Sequence, residues 1–357
     1  MPKTHNYRQD GFRKTMLSKG ADPHDVLIEK FGEPFREYRA LWEKTLGGKV
    51  ELDFPIHLDI ELNPSCNLMC PMCVISAETN PKSSKKFWMS FENYKALIDE
   101  GVSKGLKSVQ LNNINEPLIR KDLYEFVAYA RDHGVLDIML STNGTALTET
   151  TARRLIDAGL TKLSVSIDAF SKGTYDKIRV GGNYDEVIAN CLRFLQIRNA
   201  MGVKLPLFKV TFVRSPLNES ELEDFLDFWG EKADLIAIQN LNNPFDGELW
   251  EKTRDYFDLE PKLVEKVKKI CPHPFQRMTI QADGQALLCC NLRGPDLPLG
   301  NVIEHGLEAI YNDKTAKSYR QLHAAGRYGE IETCKKCMQF SKVEQDSSSV
   351  IPIFVAE

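Results

Sequence analysis

The sequence lacks any apolar run approaching the ~20 residues that a helix needs to cross a bilayer, so no membrane partner is expected. Its opening stretch, Met1 to Lys19, is charged and polar rather than built like an export signal, and the expected location is the cytoplasm. No sign of charge dominates either. With 46 basic and 50 acidic residues the net charge is −4, which gives no electrostatic footprint for nucleic acid and leaves small molecules and peptides as candidate partners. There is no phosphate-cradling GxxxxGK loop, no HExxH and no Ser-His-Asp spacing, so kinase and hydrolase readings have no motif behind them. No internal repeat is found. What is present is an ordinary globular composition, 42% hydrophobic and 27% charged over 357 residues, enough for one large domain with appendages or for two domains.

Cysteine is the exception. Nine are present: Cys66, Cys70, Cys73, Cys191, Cys271, Cys289, Cys290, Cys334 and Cys337. The number is odd and the spacing uneven, and in a chain without an export signal such clusters read as metal or redox sites sooner than as disulfides.

Hydrophobic periodicity organises the rest. Val26, Leu27, Phe31, Phe35, Tyr38, Leu41 and Trp42 recur at helical spacing, so residues 1–50 read as a helical N-terminal extension. From His57 to Asn242, six β-rich runs (57–62, 108–111, 137–140, 163–167, 208–213 and 235–238) alternate with amphipathic stretches. Ser90 caps the first of these, Gly159 stops another, and Ser220-Glu-Leu-Glu223 reads as a capping box. Such alternation predicts an α/β domain over 51–242, with a parallel sheet and helices packed outside it. A linker at 243–260 follows, then a small C-terminal domain at 261–340 with a helix from Pro261 to Ile270, a hairpin at Asp283-Gly284 and a helix near 307–322. That domain is small enough to need a metal staple. Residues 341–357 are a tail, with Cys191 in a core helix.

Cys66-Asn-Leu-Met-Cys70-Pro-Met-Cys73 is a CxxxCxxC loop directly after the first strand, where a parallel sheet exposes its ligand-binding end. Three thiolates so spaced can hold three irons of a 4Fe-4S cube and leave the fourth open. A zinc site missing one ligand, or three incidental cysteines, are the bland alternatives. In the second group, Cys271, Cys289 and Cys334-Lys-Lys-Cys337 supply four thiols, enough to close a cluster, with a zinc ribbon as the alternative.

The first loop resembles the signature of radical S-adenosylmethionine (SAM) enzymes, which implies a partial (β/α)6 parallel barrel. The family's Gly-Gly-Glu-Pro segment is matched by Ile114-Asn115-Glu116-Pro117, with the Glu kept and both glycines replaced. Ser141-Thr-Asn-Gly144 and Ser164-Val-Ser-Ile-Asp168 with Tyr175-Asp-Lys-Ile-Arg179 match the fourth- and fifth-strand segments in order. By this resemblance Glu116 receives the SAM amino group, Ser166 and Arg179 hold its carboxylate, Asn143 lies near the ribose and Met72 lies against adenine where the family has an aromatic residue. The metal ligands implied are Cys66, Cys70 and Cys73 for one 4Fe-4S cluster, with SAM on its open iron. The C-terminal group resembles a SPASM/twitch auxiliary-cluster extension, with Cys271, Cys289, Cys334 and Cys337 as ligands of a second 4Fe-4S cluster. Its intervals are similar to those of the twitch-type aminocyclitol dehydrogenase of the butirosin pathway.

The resemblance implies reductive cleavage of SAM to a 5′-deoxyadenosyl radical, with electrons from a donor such as flavodoxin or ferredoxin, and hydrogen abstraction from a substrate. For a sugar or cyclitol substrate the outcome is dehydrogenation or epimerisation. Cys290, adjacent to a ligand, is a candidate hydrogen donor for an epimerase, or a small buried residue, or itself the ligand. Arg254, Arg214 and Gln239 are candidates to hold substrate hydroxyls, Arg254 first. A peptide-modifying maturase is the alternative, and a non-catalytic metal-stapled module a remote one.

Overall fold

The computed structural model describes residues 7–8, 15–18, 23–46, 48, 50–77, 88–241, 248–259, 270–290 and 294–340. Its strands are β1 (Tyr7–Arg8), β2 (Thr15–Ser18), β3 (His57–Ile60), β4 (Ser108–Gln110), β5 (Asp137–Thr142), β6 (Lys162–Ser166), β7 (Leu207–Arg214), β8 (Leu235–Asn240), β9 (Arg277–Ile280), β10 (Gln285–Leu287) and β11 (Pro298–Asn301). The α-helices are α1 (His24–Phe31), α2 (Glu33–Thr45), α3 (Val74–Ala77), α4 (Phe91–Ser103), α5 (Leu123–Asp132), α6 (Glu149–Ala158), α7 (Lys172–Ile178), α8 (Tyr184–Ala200), α9 (Leu222–Gly230), α10 (Glu248–Phe257), α11 (His273–Gln276), α12 (Val302–His305), α13 (Leu307–Tyr311), α14 (Lys314–Ala324) and α15 (Glu332–Phe340).

The six expected strands are β3 to β8. They pair parallel in sequence order, with helices in the crossovers, which is the partial barrel that strand-helix alternation predicts. Successive residues of a strand face opposite ways. One face carries Leu58, Ile60, Val109, Leu140, Leu163, Val165, Phe208 and Val210, which share one core with Tyr94, Leu97, Phe126 and Phe194 of the helices. Each such side chain, fully buried, contributes about 1.5–3 kcal/mol of transfer free energy. The other face is polar, and the strand registers align Asp59 with Gln110, Ser141 with Ser164, Ser164 with Lys209 and Ser166 with Thr211.

Besides helices α1 and α2, the N-terminal extension contains β1 and β2, which helical spacing did not reveal. Strand β2 adds antiparallel to β8. Leu27, Phe35 and Tyr38 of the two helices meet Ile56, Leu205 and Leu207, so α1 and α2 cover the N-terminal ends of β3 and β7. On the other flank β9 pairs parallel with β3, and β10 and β11 follow antiparallel, so the C-terminal extension continues the barrel sheet. The expected turn is Gly284, at φ 86°; a Cβ there would sit 2.5 Å from Ile303 Cγ1 in a left-handed backbone, so the turn favours glycine.

Local signals held at Ser90, whose hydroxyl accepts from Asn93 N at 3.1 Å, and at Gly159, left-handed at φ 89°. The capping box at Ser220–Glu223 does not form. A 3-10 turn spans Glu219–Glu221. Glu221 instead accepts from Phe170 N, Ser171 N, Ser171 Oγ and Thr174 Oγ1, fixing the start of α7. The expected linker carries α10. The helix expected at 261–270 and the tail lie outside the described residues, Ile270 excepted.

Candidate active site: two thiol groups at opposite ends of a polar sheet face

The CxxxCxxC loop leaves the C-terminal end of β3 and is tied to three neighbours. Glu116 N donates to Ser65 O at 2.9 Å, Met69 N donates to Val180 O at 2.9 Å, and Asn143 Nδ2 donates to Asn67 Oδ1 at 2.8 Å. Asn67 Nδ2 in turn donates to Thr145 Oγ1 at 2.9 Å. Asn115, where a glycine was expected by resemblance, accepts from Asn113 N at 2.9 Å and donates to Asn63 Oδ1 at 3.1 Å. A side chain thus makes the turn that two glycines would otherwise make. From the far side, Thr253 of α10 donates to Pro71 O at 3.3 Å.

The three thiols interact electrostatically. Burial pushes Cys73 up to about 11, with Cys70 and Cys66 adding repulsion; burial also raises Cys66, with Glu116 and Cys70 adding repulsion. Asn143 Nδ2 approaches Cys66 Sγ at 3.9 Å and Arg179 Nη1 approaches Cys70 Sγ at 3.8 Å. Arg179 also donates through Nη2 to Asp168 Oδ2. Its Nε is buried without a hydrogen-bond partner among the described residues, as are Tyr175 Oη and Ser76 Oγ close by. Asp168 is 0% exposed, adopts φ 61°, and accepts from Val213 N at 2.8 Å. Burial raises its carboxyl, while Arg179 pulls the other way. Sequence reasoning did not single out Asp168 as the residue that holds Arg179.

Glu116 is 2% exposed and accepts three bonds: from Leu118 N at 3.0 Å, Thr142 Oγ1 at 2.6 Å and Asn143 N at 2.7 Å. Burial raises its carboxyl above the ordinary value. Four of the expected SAM residues, Glu116, Asn143, Ser166 and Arg179, therefore sit at the C-terminal ends of β4, β5 and β6 or just beyond α7, around the thiol loop. Met72 is half-buried within that loop, and Ser166 is half-buried at the end of β6.

The second thiol group lies at the other end of the sheet. Cys271 precedes β9, while Cys289 and Cys290 follow β10, which runs back antiparallel, so all three fall at the N-terminal end of the parallel strands. Cys271 and Cys337 add repulsion to Cys334, which burial pushes up to about 12. His323 Nε2 lies 3.4 Å from Cys334 Sγ. Cys290 interacts electrostatically with Arg277. Arg254 lies on α10, 39% exposed and 3.3 Å from Asp255, the residue next to it.

A Ser-His-Asp chain that sequence spacing did not reveal lies beside that second group. His57 Nδ1 is 2.8 Å from Ser108 Oγ and His57 Nε2 is 3.1 Å from Asp59 Oδ1, with Arg277 Nη1 3.4 Å from Asp59 Oδ2. Ser108 is 0% exposed, so the chain is an internal brace for Arg277 and not a hydrolytic site. Burial keeps His57 neutral; burial also opposes charge on Asp59, but Arg277 and His57 outweigh it and hold the carboxylate ionised.

Among the described residues, no three His, Cys, Asp or Glu side chains converge on a single-ion site. The donor chemistry fits iron-sulfur groups: thiols gathered in threes, a guanidinium facing one of them, and an unpartnered buried Arg179 Nε beside the loop for an anionic ligand. Fold and site together define a parallel α/β protein with a group of thiols at each end of one sheet. Residues 60–228 match the Radical SAM superfamily and residues 271–338 match the SPASM iron-sulfur cluster-binding domain. The chain thus carries a radical SAM domain followed by a SPASM domain, and these domains imply a SAM-binding 4Fe-4S cluster and an auxiliary one.

A probable GTP 3′,8-cyclase of Methanocaldococcus jannaschii is 29% identical over 220 residues, 62% of this chain and 70% of that protein. BtrN in complex with AdoMet and 2-DOIA aligns with a TM-score of 0.51 at 19% identity, covering 79% of this chain and 92% of BtrN. SuiB of Streptococcus suis bound to S-adenosylmethionine aligns at 0.57 and 15% identity, covering 90% of this chain and 80% of SuiB. At such identities the structural likeness establishes the fold alone.

Proposed function

We propose that this protein is a radical SAM oxidoreductase that removes hydrogen from a carbinol carbon of a sugar or cyclitol-type small molecule and releases the carbonyl product. The observation that carries the reading is the polar face of β3–β7, lined by Glu61, Gln110, Ser141, Ser164, Lys209 and Thr211, which runs between the two thiol groups. Parallel strands buried on both sides are ordinarily apolar throughout, so a row of hydrogen-bonding side chains suits a ligand with many hydroxyls.

With its clusters and SAM bound, such a site supplies a 5′-deoxyadenosyl radical at one end and an electron acceptor at the other. The chain's own residues do the rest. Cys66, Cys70 and Cys73 would hold the first cluster, and Arg179, fixed by Asp168, would bind the SAM carboxylate through its open Nε side. Asn143, Ser166 and Met72 would seat the nucleoside. Glu116 orients Thr142 and Asn143 and would meet the SAM amino group. Cys271, Cys289, Cys334 and Cys337 would hold the second cluster. Arg277 interacts electrostatically with Cys290, which stays the candidate hydrogen donor for the epimerisation outcome.

The cyclase relatives make nucleotides a substrate class to test beside sugars and cyclitols. A peptide substrate is the second reading, favoured by β1 and β2 in the N-terminal extension, since peptide-modifying relatives of the family are expected to carry strands there. The deciding experiment incubates reduced enzyme with SAM and carbinol-deuterated sugars and cyclitols, and follows deuterium into 5′-deoxyadenosine by mass spectrometry. Deuterium transfer with formation of a ketone supports the reading. Transfer only from peptides or nucleotides would replace it.

A further inference from the structure

A buried imidazole in the C-terminal extension has one hydrogen-bonding neighbour among the described residues, a thiol of the second group. His323, in the last turn of α14, is 1% exposed, and its Nε2 lies 3.4 Å from Cys334 Sγ in α15. Its Nδ1 is buried with no hydrogen-bond partner among the described residues. The ring stands 6.1 Å from that of Tyr328, which packs on a small apolar cluster of Leu288, Leu297, Ile331 and Cys334. A neutral imidazole has one N–H to give, and a neutral thiol is only a weak acceptor. A thiolate bound to iron is a charged acceptor, and hydrogen bonds to it are correspondingly strong. The pairing is therefore best satisfied when the Cys334 sulfur carries charge and Nε2 carries the proton.

We propose that His323 is a positioning residue of the auxiliary cluster, donating its Nε2–H to the Cys334 sulfur and thereby raising that cluster's reduction potential. Reduction adds negative charge that spreads onto the ligand sulfurs, so a donor aimed at one of them stabilises the reduced state more than the oxidised one. A raised potential suits an electron acceptor. The inference requires only the second cluster and stands whatever the substrate proves to be.

The test is an EPR-monitored redox titration of the anaerobically reconstituted full-length protein without substrate, comparing wild type with His323→Phe, which keeps a ring but no donor, and His323→Gln, which keeps a donor. The expected result is a lowered auxiliary-cluster potential in His323→Phe at unchanged iron content, with the first cluster's potential and its response to SAM unaltered and His323→Gln closer to wild type. If His323→Phe alone loses the second cluster while His323→Gln retains iron and potential, the donor rather than the ring shape is what the cluster needs, and the inference holds. A wild-type potential in His323→Phe would overturn it. Loss of the second cluster's iron in both variants would also overturn it, because His323 would then be a ligand or a packing residue.

Discussion

Asp168→Asn is the most informative single change at the SAM end of the sheet. Asp168 is 0% exposed and pairs with Arg179, whose side chain is only 13% exposed. Asn tolerates the left-handed φ of 61° about as well as Asp, so the substitution removes charge without adding backbone strain. The amide oxygen can still accept from Val213 N. What is lost is the counter-charge of a buried guanidinium, and breaking a buried pair by removing one partner costs about 3–5 kcal/mol. At roughly 2–4 °C per kcal/mol for domains of this size, the melting temperature should fall by on the order of 10 °C. Arg179 should also lose its orientation, so SAM should bind at least about tenfold more weakly, a change of ~1.4 kcal/mol. Anaerobic thermal unfolding and equilibrium binding of SAM read the two effects separately. Wild-type SAM affinity in a variant that still assembles its first cluster would refute the reasoning, because Arg179 would then not need Asp168 to hold the ligand.

Other expectations follow from the same geometry. Cys66→Ala, Cys70→Ala and Cys73→Ala should each abolish 5′-deoxyadenosine formation, measured by chromatography; retained cleavage in any of them contradicts the ligand assignment. Cys289→Ala should lose the second cluster's iron while Cys290→Ala keeps it, and the reverse pattern would exchange their roles. Glu116→Gln turns an amide N–H toward Asn143 N, leaving a buried donor unsatisfied at about 1–3 kcal/mol, so a melting temperature equal to wild type would discount its bracing role. Burial raises the proton affinity of Asp137, but Lys162 Nζ at 2.7 Å and Thr161 Oγ1 at 2.9 Å outweigh it and hold the carboxyl below its ordinary value of 3.8. Its stabilising contribution is present above that value and is lost as pH falls through the lower folded-state value. Asp137→Asn should therefore destabilise at neutral pH, and the gap from wild type in unfolding experiments should close in strong acid; a constant gap would argue against the charge.

The barrel was legible because its strands and crossover helices each span enough residues to express their period, and Ser90 and Gly159 mark helix ends by local chemistry alone. Strands β1 and β2, two and four residues long, are too short for any period and exist through pairing, β1 with β2 and β2 with β8. The capping box failed because Glu221, just inside it, bonds more fully at the start of α7, a contact 47–51 residues away. The thiol loop was readable from spacing. The ion pair that positions Arg179 was not, since nothing local distinguishes Asp168 from a turn residue. The alternation of polar and apolar residues in His57-Leu-Asp-Ile-Glu-Leu62 could have announced a lined interior, because a strand buried between helices and a filled core has no reason to alternate. It was used only as evidence for a strand. His323 and Cys334 are joined by tertiary packing of α14 against α15, which no motif encodes.

Iron and zinc analysis with EPR on anaerobically reconstituted protein, before and after SAM is added, tests the central claim most directly. Two 4Fe-4S clusters, one with an open iron, require about eight irons per chain and a signal that SAM perturbs. Zinc in place of iron, with no SAM-responsive signal, would contradict the account.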